Sequence, residues 1–210
     1  MNNNKDMREI VKKGYEEGNY DLEYRQGKIK IGNKEKEFFE QLLKNLPAEP
    51  HVLDFGCGTG KPYAGYLIKK GCRVTGIDIS QKHIDKARKN YPQATFITGD
   101  FSKYSPPGSF NAIISLYAIF HIPRTEHQKL FIKMRNLLEE KGRILITVGA
   151  EKGEFINKDW CGAKMAWSTY SPERYLAMLE KVGFEIMTTR REGELAEEEE
   201  YHFWILAEKK

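Results

Sequence analysis

Val52-Leu53-Asp54-Phe55-Gly56-Cys57-Gly58-Thr59-Gly60-Lys61 is the stretch whose reading decides the fold. An apolar run beginning at His51 has strand character, and it breaks into glycines at three alternate positions, 56, 58 and 60. Glycine at this density after a strand marks a tight turn or a close approach of backbone to a ligand. The dinucleotide pattern G-x-G-x-x-G would need a third glycine at position 61, which is Lys61. The phosphate-loop pattern fails as well, because no Gly-Lys-Ser/Thr follows at the required distance. The pattern present is Asp54-x-Gly56-x-Gly58-x-Gly60. A carboxylate directly ahead of the glycines would repel a pyrophosphate and suits a guest carrying positive charge.

Working outward, strand-like and helix-like segments alternate. Pro62 stands where a first helical residue would, and its missing N–H costs nothing there. Ala64, Leu67 and Ile68 form an inward stripe, and Gly71 stops that helix. "CRVTGIDIS" (72–80) is the next strand, with Ser80 as N-cap for a helix carrying Ile84 and Ala87. "ATFITGD" (94–100) and "FNAIISLY" (110–117) are two more strands. Thr125 and Gln128 have the spacing of a capping box for a helix bearing Leu130, Met134, Leu137 and Leu138, ended by Gly142. "RILITV" (143–148) is the fifth strand. Ser171-Pro172-Glu173 opens a helix with Leu176, Leu179 and Val182 inward and Gly183 as its stop. "FEIMTTR" (184–190) and "HFWILAE" (202–208) close the chain as a hairpin-like pair, so one of them runs antiparallel to the rest. Phe39, Leu42, Leu43 and Leu46 mark an amphipathic helix upstream that packs on the sheet. This order predicts an α/β fold: a Rossmann-like, seven-stranded, mostly parallel sheet with helices on both faces and an antiparallel last strand.

Two stretches break the alternation. Residues 1–33 read as a lid-like extension with Tyr15, Tyr20 and Tyr24 set among charges, ahead of a domain spanning 34–210. Residues 151–170 or so form an insert after the fifth strand, rich in small residues and carrying Trp160, Met165 and Trp167. Segments this long inside a compact domain are more often functional covers than idle connections. The acidic run "EGELAEEEEY" (192–201) reads as a solvated connection.

Composition excludes little. The 210 residues carry a formal net charge of +4 that is not gathered into a basic block, so charge gives no argument for nucleic acid. Cys57, Cys72 and Cys161 are an odd set without metal-ligand spacing and fit a reducing compartment. The N-terminus lacks the apolar core of a signal peptide, and no run is long enough to span a bilayer, so a cytoplasmic location is expected.

The glycine stretch resembles the first motif of the class I S-adenosylmethionine-dependent methyltransferases, D/E-x-G-x-G-x-G, and the resemblance extends from about Phe38 to the C-terminus. It implies S-adenosylmethionine as cofactor, held by the loop Asp54, Gly56, Cys57, Gly58 and Gly60. "GIDIS" puts Asp78 and Ile79 at the end of the second strand, where the family's carboxylate takes both ribose hydroxyls. "GDFS" puts Asp100 and Phe101 where the family holds adenine. "FNAIISLYAIFHIP" resembles the fourth motif, with Ser115, Leu116 and Tyr117 beside the methionine portion and His121 as the candidate catalytic group. No metal is expected.

The function that follows is transfer of a methyl group to an oxygen or nitrogen of a small molecule, with Trp160, Met165 and Trp167 as an apolar wall for that acceptor. Methylation of protein or nucleic acid is a second reading. Against base amino-methylation, Ser115-Leu116-Tyr117-Ala118 stands where that group has Asp/Asn-Pro-Pro-aromatic. A catalytically silent cofactor-binding protein is a third.

Overall fold

The structure is a computed structural model that describes residues 3–20, 31–192 and 202–210. Among them, helix α1 (Asn3–Glu17) and helix α2 (Asn33–Leu43) precede β1 (His51–Phe55), α3 (Tyr63–Lys69), β2 (Arg73–Asp78), α4 (Gln81–Asn90), β3 (Thr95–Thr98) and β4 (Phe110–Ser115). Two single 3₁₀ turns, Ile119–His121 and Arg124–Glu126, lead into α5 (His127–Leu137) and β5 (Leu138–Gly149). Then come β6 (Gly153–Trp160), β7 (Ala163–Thr169), α6 (Pro172–Lys181), β8 (Phe184–Arg191) and β9 (His202–Lys209). Tyr24 and all but the first residue of the acidic run lie outside the described residues.

Seven strands form one sheet in the order β3-β2-β1-β4-β5-β9-β8, and β6 and β7 form a separate pair. The β1–β2, β1–β4, β2–β3 and β4–β5 pairings are parallel, and β9 runs antiparallel to both β5 and β8. The expected architecture is therefore the one observed.

Both faces of the sheet are buried, and the pleat sorts the side chains between them. Leu53, Phe55, Ile113, Ile144, Ile146, Ile205 and Ala207 pack with α5 and α6 on one face. Val52, Ala112, Ile114, Leu145, Trp204 and Leu206 pack with α2, α3 and α4 on the other. The strands read as near-continuous apolar runs for this reason. The chain steps from β1 outward through β2 and β3, then returns to place β4 on β1's other side. The strand order reverses there, and that is where an open α/β sheet holds a ligand.

Several local expectations need correction. Pro62 is the N-cap of α3 rather than its first residue. The capping box at Thr125 is absent, because that residue lies inside a 3₁₀ turn and α5 begins at His127 behind Glu126 with no side-chain cap. Gly142 does not stop α5. The helix ends at Leu137, since Leu138 pairs with Phe110 and enters the sheet, and residues 139–142 bulge before pairing resumes at Arg143. Leu46 lies past the end of α2 yet still packs on its side of the sheet. The insert at 151–170 is a β-hairpin rather than a loop: Gly153 pairs with Thr169 and Trp160 with Ala163, around a turn whose Cys161 and Gly162 have φ of 52° and 79°.

Candidate active site

The glycine loop is held by β2. The amides of Gly56 and Cys57 both donate to the Ile77 carbonyl, at 2.8 and 3.1 Å, and Gly60 N–H donates to the Cys57 carbonyl at 2.9 Å. Two of the three glycines answer to crowding. A Cβ on Gly56 would lie 2.3 Å from Ala118 Cβ, and one on Gly60 would meet the Tyr91 ring at 2.9 Å. Gly58 differs. Its φ is +52°, and a Cβ there would meet nothing within 4 Å, while the residue itself lines the cleft.

Asp78 organises the next wall. Its Oδ2 accepts the Gly58 N–H and its Oδ1 accepts the Ser80 N–H, each at 2.9 Å. Burial pushes its pKa up, but the nearby His83 and these two amides outweigh that and hold the carboxyl below its ordinary range. A carboxylate offers about four acceptor sites. The two backbone bonds, with His83 Nδ1 3.7 Å from Oδ1, leave acceptor capacity for a hydroxyl donor. Ser80 caps α4 as expected, accepting the His83 N–H at 3.1 Å.

A cleft opens over these residues. Gly56, Gly58, Asp78, Ile79, Asp100, Phe101, Leu116, Tyr117 and His121 line it, all of them expected from the sequence. Asp54, Cys57, Gly60 and Ser115 do not. Asp54 is buried at 3% exposure, and Ser115, fully buried, donates from Oγ to the Phe55 carbonyl at 2.9 Å. The carboxylates that line the cleft are Asp78 and Asp100, while Asp54, expected to front it, is buried outside the lining. Burial, with the nearby Asp54 and Asp78 carboxylates, pushes the Cys57 thiol well up, so it is a neutral filler. Phe101 serves core and cleft together, stacking on Phe55 with centroids 5.4 Å apart.

The sequence reading missed Arg8 and Val11 and did not rank Tyr15. These three line the cleft from α1 at positions i, i+3 and i+7, one stripe of a helix. The signal lay in "MREIVKKGY" (7–15) at helical spacing. Arg8 donates from Nε to Asp100 Oδ2 at 2.7 Å and from Nη2 to Ser102 Oγ at 3.0 Å, and it pairs with Glu126. Asp100 Oδ1 accepts the Ser102 N–H at 2.8 Å. Burial acts to raise the Asp100 pKa, but Ser102 and Arg8 prevail and lower it. At the other end of the stripe, Tyr15 Oη lies 2.9 Å from His121 Nε2.

The hairpin supports α1 instead of facing the cleft. Met165 is fully buried and packs with Val11 and Ala166, with Met7, Ile10, Tyr15, Trp160 and Trp167 around them. Trp160 stacks on Tyr20 at 5.1 Å and meets Tyr15 and Trp167 edge-on, at 6.0 and 5.8 Å. These rings fill one another's faces. Trp160, Met165 and Trp167, expected as an apolar wall for the acceptor, are not among the residues that line this cleft. The described residues hold no helix long and apolar enough to cross a membrane.

Residues 52–142 match a family described as methyltransferase domain. An uncharacterized methyltransferase of Bacillus cytotoxicus is 32% identical over 110 residues, 51% of each chain. One of Synechocystis is 31% identical over 128 residues, 59% of this chain and 58% of that one. The chain thus spans about half the length of the curated relatives it matches. Among solved structures, magnesium protoporphyrin IX methyltransferase from Synechocystis with bound S-adenosylmethionine superposes with a TM-score of 0.70 at 20% identity, covering 97% of both chains. A putative S-adenosylmethionine-dependent methyltransferase from Listeria monocytogenes gives 0.66 at 20%, covering 83% of this chain and 99% of that one. Residues 52–142 thus match the methyltransferase domain family, and the fold is the one that the solved S-adenosylmethionine-dependent methyltransferases share.

Proposed function

We propose that the protein binds S-adenosylmethionine in this cleft and transfers its methyl group to an oxygen or nitrogen of a small molecule. The observation that carries the reading is Asp78, ionised, tied to Gly58 and Ser80, and still able to accept from a hydroxyl beside a glycine with open space over it. That suits a ribose on Asp78 and a chain running past Gly58 toward Leu116 and Tyr117. Asp100 and Phe101 supply the matching polar and flat contacts for adenine. A sulfonium also suits a cleft with two carboxylates and an Arg8 already matched by Asp100 and Glu126.

The sulfonium is an activated donor, so the protein's work is alignment and exclusion of water, which supplies roughly 7–11 kcal/mol in well-oriented cases. A small methyl acceptor is favoured over a polymer because the Arg8–Val11–Tyr15 stripe of α1 roofs the cleft. We place the handling of the acceptor's proton at the His121 end. The test is release of S-adenosylhomocysteine with a panel of phenols, amines, carboxylic acids and thiols. Turnover with at least one class is expected. A protein that binds the cofactor yet turns over none of them would overturn the small-molecule reading.

A further inference from the structure

We propose that the protein forms a two-fold dimer in which β6 pairs antiparallel with β6 of a second copy of this chain, joining two hairpins into a four-stranded sheet. The basis is a strand exposed at every residue from Glu154 to Asp159. Among the described residues β6 pairs with β7 alone. β7 is mostly buried, with Met165 and Ala166 packed against Val11 of α1, so β6 is the open edge of the hairpin. An edge strand presents a row of N–H and C=O groups ready to pair with another strand. No proline interrupts this one. Phe155 and Ile156 stand next to each other on it, 54% and 62% exposed. The other exposed large apolar side chains, Tyr104, Ile132 and Met187, lie singly on separate parts of the chain, as is ordinary for a protein surface. Two together on an unpaired edge call for a cover.

The charges on the strand identify that cover as the same strand. Antiparallel pairing about Ile156 sets Ile156 against its own copy, Phe155 against Asn157, and Glu154 against Lys158. The two-fold axis forms each unlike pair twice. Opposite charges directly across two strands stabilise the pairing, and like charges oppose it. Of the registers that overlap most of the strand, this is the one that sets unlike charges against each other. A slip of one residue toward the turn would set Glu154 against Asp159. The pairing of β6 with β7 keeps one register from Gly153 to Asn157, so the centre of the contact lies in regular strand. Glu154 already accepts from Ser168 Oγ at 2.9 Å and lies 3.5 Å from Arg124 Nε. Both contacts use Oε1, which leaves Oε2 for Lys158 of the second copy. No residue of β6 lines the cleft, and the dimer stands independently of the methyl-transfer reading.

The test is the mass of the full chain in solution, by sedimentation velocity over a range of concentrations. The wild type should pass from monomer to dimer as concentration rises. A wild type that stays monomeric throughout overturns the proposal and leaves the edge to a strand of another protein. Glu154→Lys and Lys158→Glu each set like charges opposite at both ends of the contact, and each should weaken the dimer at least about tenfold. Both side chains are exposed, so the variants should keep the wild-type circular dichroism spectrum. Mixed in equal amounts, the two variants place two lysines against two glutamates. A heterodimer about as tight as the wild-type dimer is therefore expected from two proteins that are each monomeric alone. Single variants that dimerise as well as wild type, or a mixture that stays monomeric, would overturn pairing through β6.

Discussion

Glycines 56 and 58 look alike in sequence, and their surroundings divide their roles. Gly56→Ala would drive a methyl into Ala118, so that variant should lose thermal stability and cofactor binding together. Gly58→Ala meets no neighbouring atom and should fold with only the cost of a positive φ, about 1–2 kcal/mol, while losing the cofactor. Melting temperatures paired with calorimetry separate the two outcomes. The sequence showed where the glycines are needed, because an alternate-glycine loop after a strand has few physical uses. It could not show that Asp54 is buried outside the cleft lining while Asp78 and Asp100 belong to it, since that depends on how β2 and β3 end beside β1. Buried histidines give a second residue-scale expectation. His121 and His127 are both pushed down to about 4 by burial. The unfolded chain takes up their protons from about pH 6.5 downward, so stability should be fully present above that pH and be lost toward pH 4, by up to about 1.4 kcal/mol per unit for each group. Urea midpoints at pH 7 and pH 5 measure this, and His127→Gln should flatten the slope. An equal midpoint at both pH values contradicts it.

At the scale of elements, the hairpin and α1 are one device. Gly14 sits in the helix because a Cβ there would come within 2.6 Å of the Lys164 carbonyl and of Met165 Cε. Alanine favours a helix interior over glycine by about 1 kcal/mol, yet Gly14→Ala should loosen α1 from β7. Faster amide exchange across residues 7–17 is the expected result, and unchanged or slower exchange would refute the docking account. This pairing was hard to read from sequence for a physical reason. The tryptophans and Met165 showed that an apolar surface needed covering, but a greasy hairpin serves a helix of its own chain as well as it serves a ligand. Strand and helix order was legible because hydrophobic period and glycine stops are local. The ends of α5 were not, because Leu138 is claimed by sheet pairing with Phe110 rather than by helical spacing.

Across the whole molecule, the sheet is buried on both faces, and β9 carries core residues for each. Trp204, 1% exposed, stacks on Phe38 of α2 at 5.3 Å while its neighbour Ile205 packs on the opposite face. Trp204→Ala should therefore cost about 3–5 kcal/mol by urea unfolding, with secondary structure retained; a cost under 1 kcal/mol would show that the site collapses or was never tightly packed. The same two-sided burial leaves the carboxyl ends of β1, β2 and β4 as the place where backbone and charge stay open to a guest, and α1 closes over it. The most direct test of that arrangement is a calorimetric titration with S-adenosylmethionine. A single site in the wild type is expected, weakened about 100-fold in Asp78→Ala, as the loss of a hydrogen bond to a charged group allows. No binding to the wild type, or equal binding to both proteins, would contradict the account.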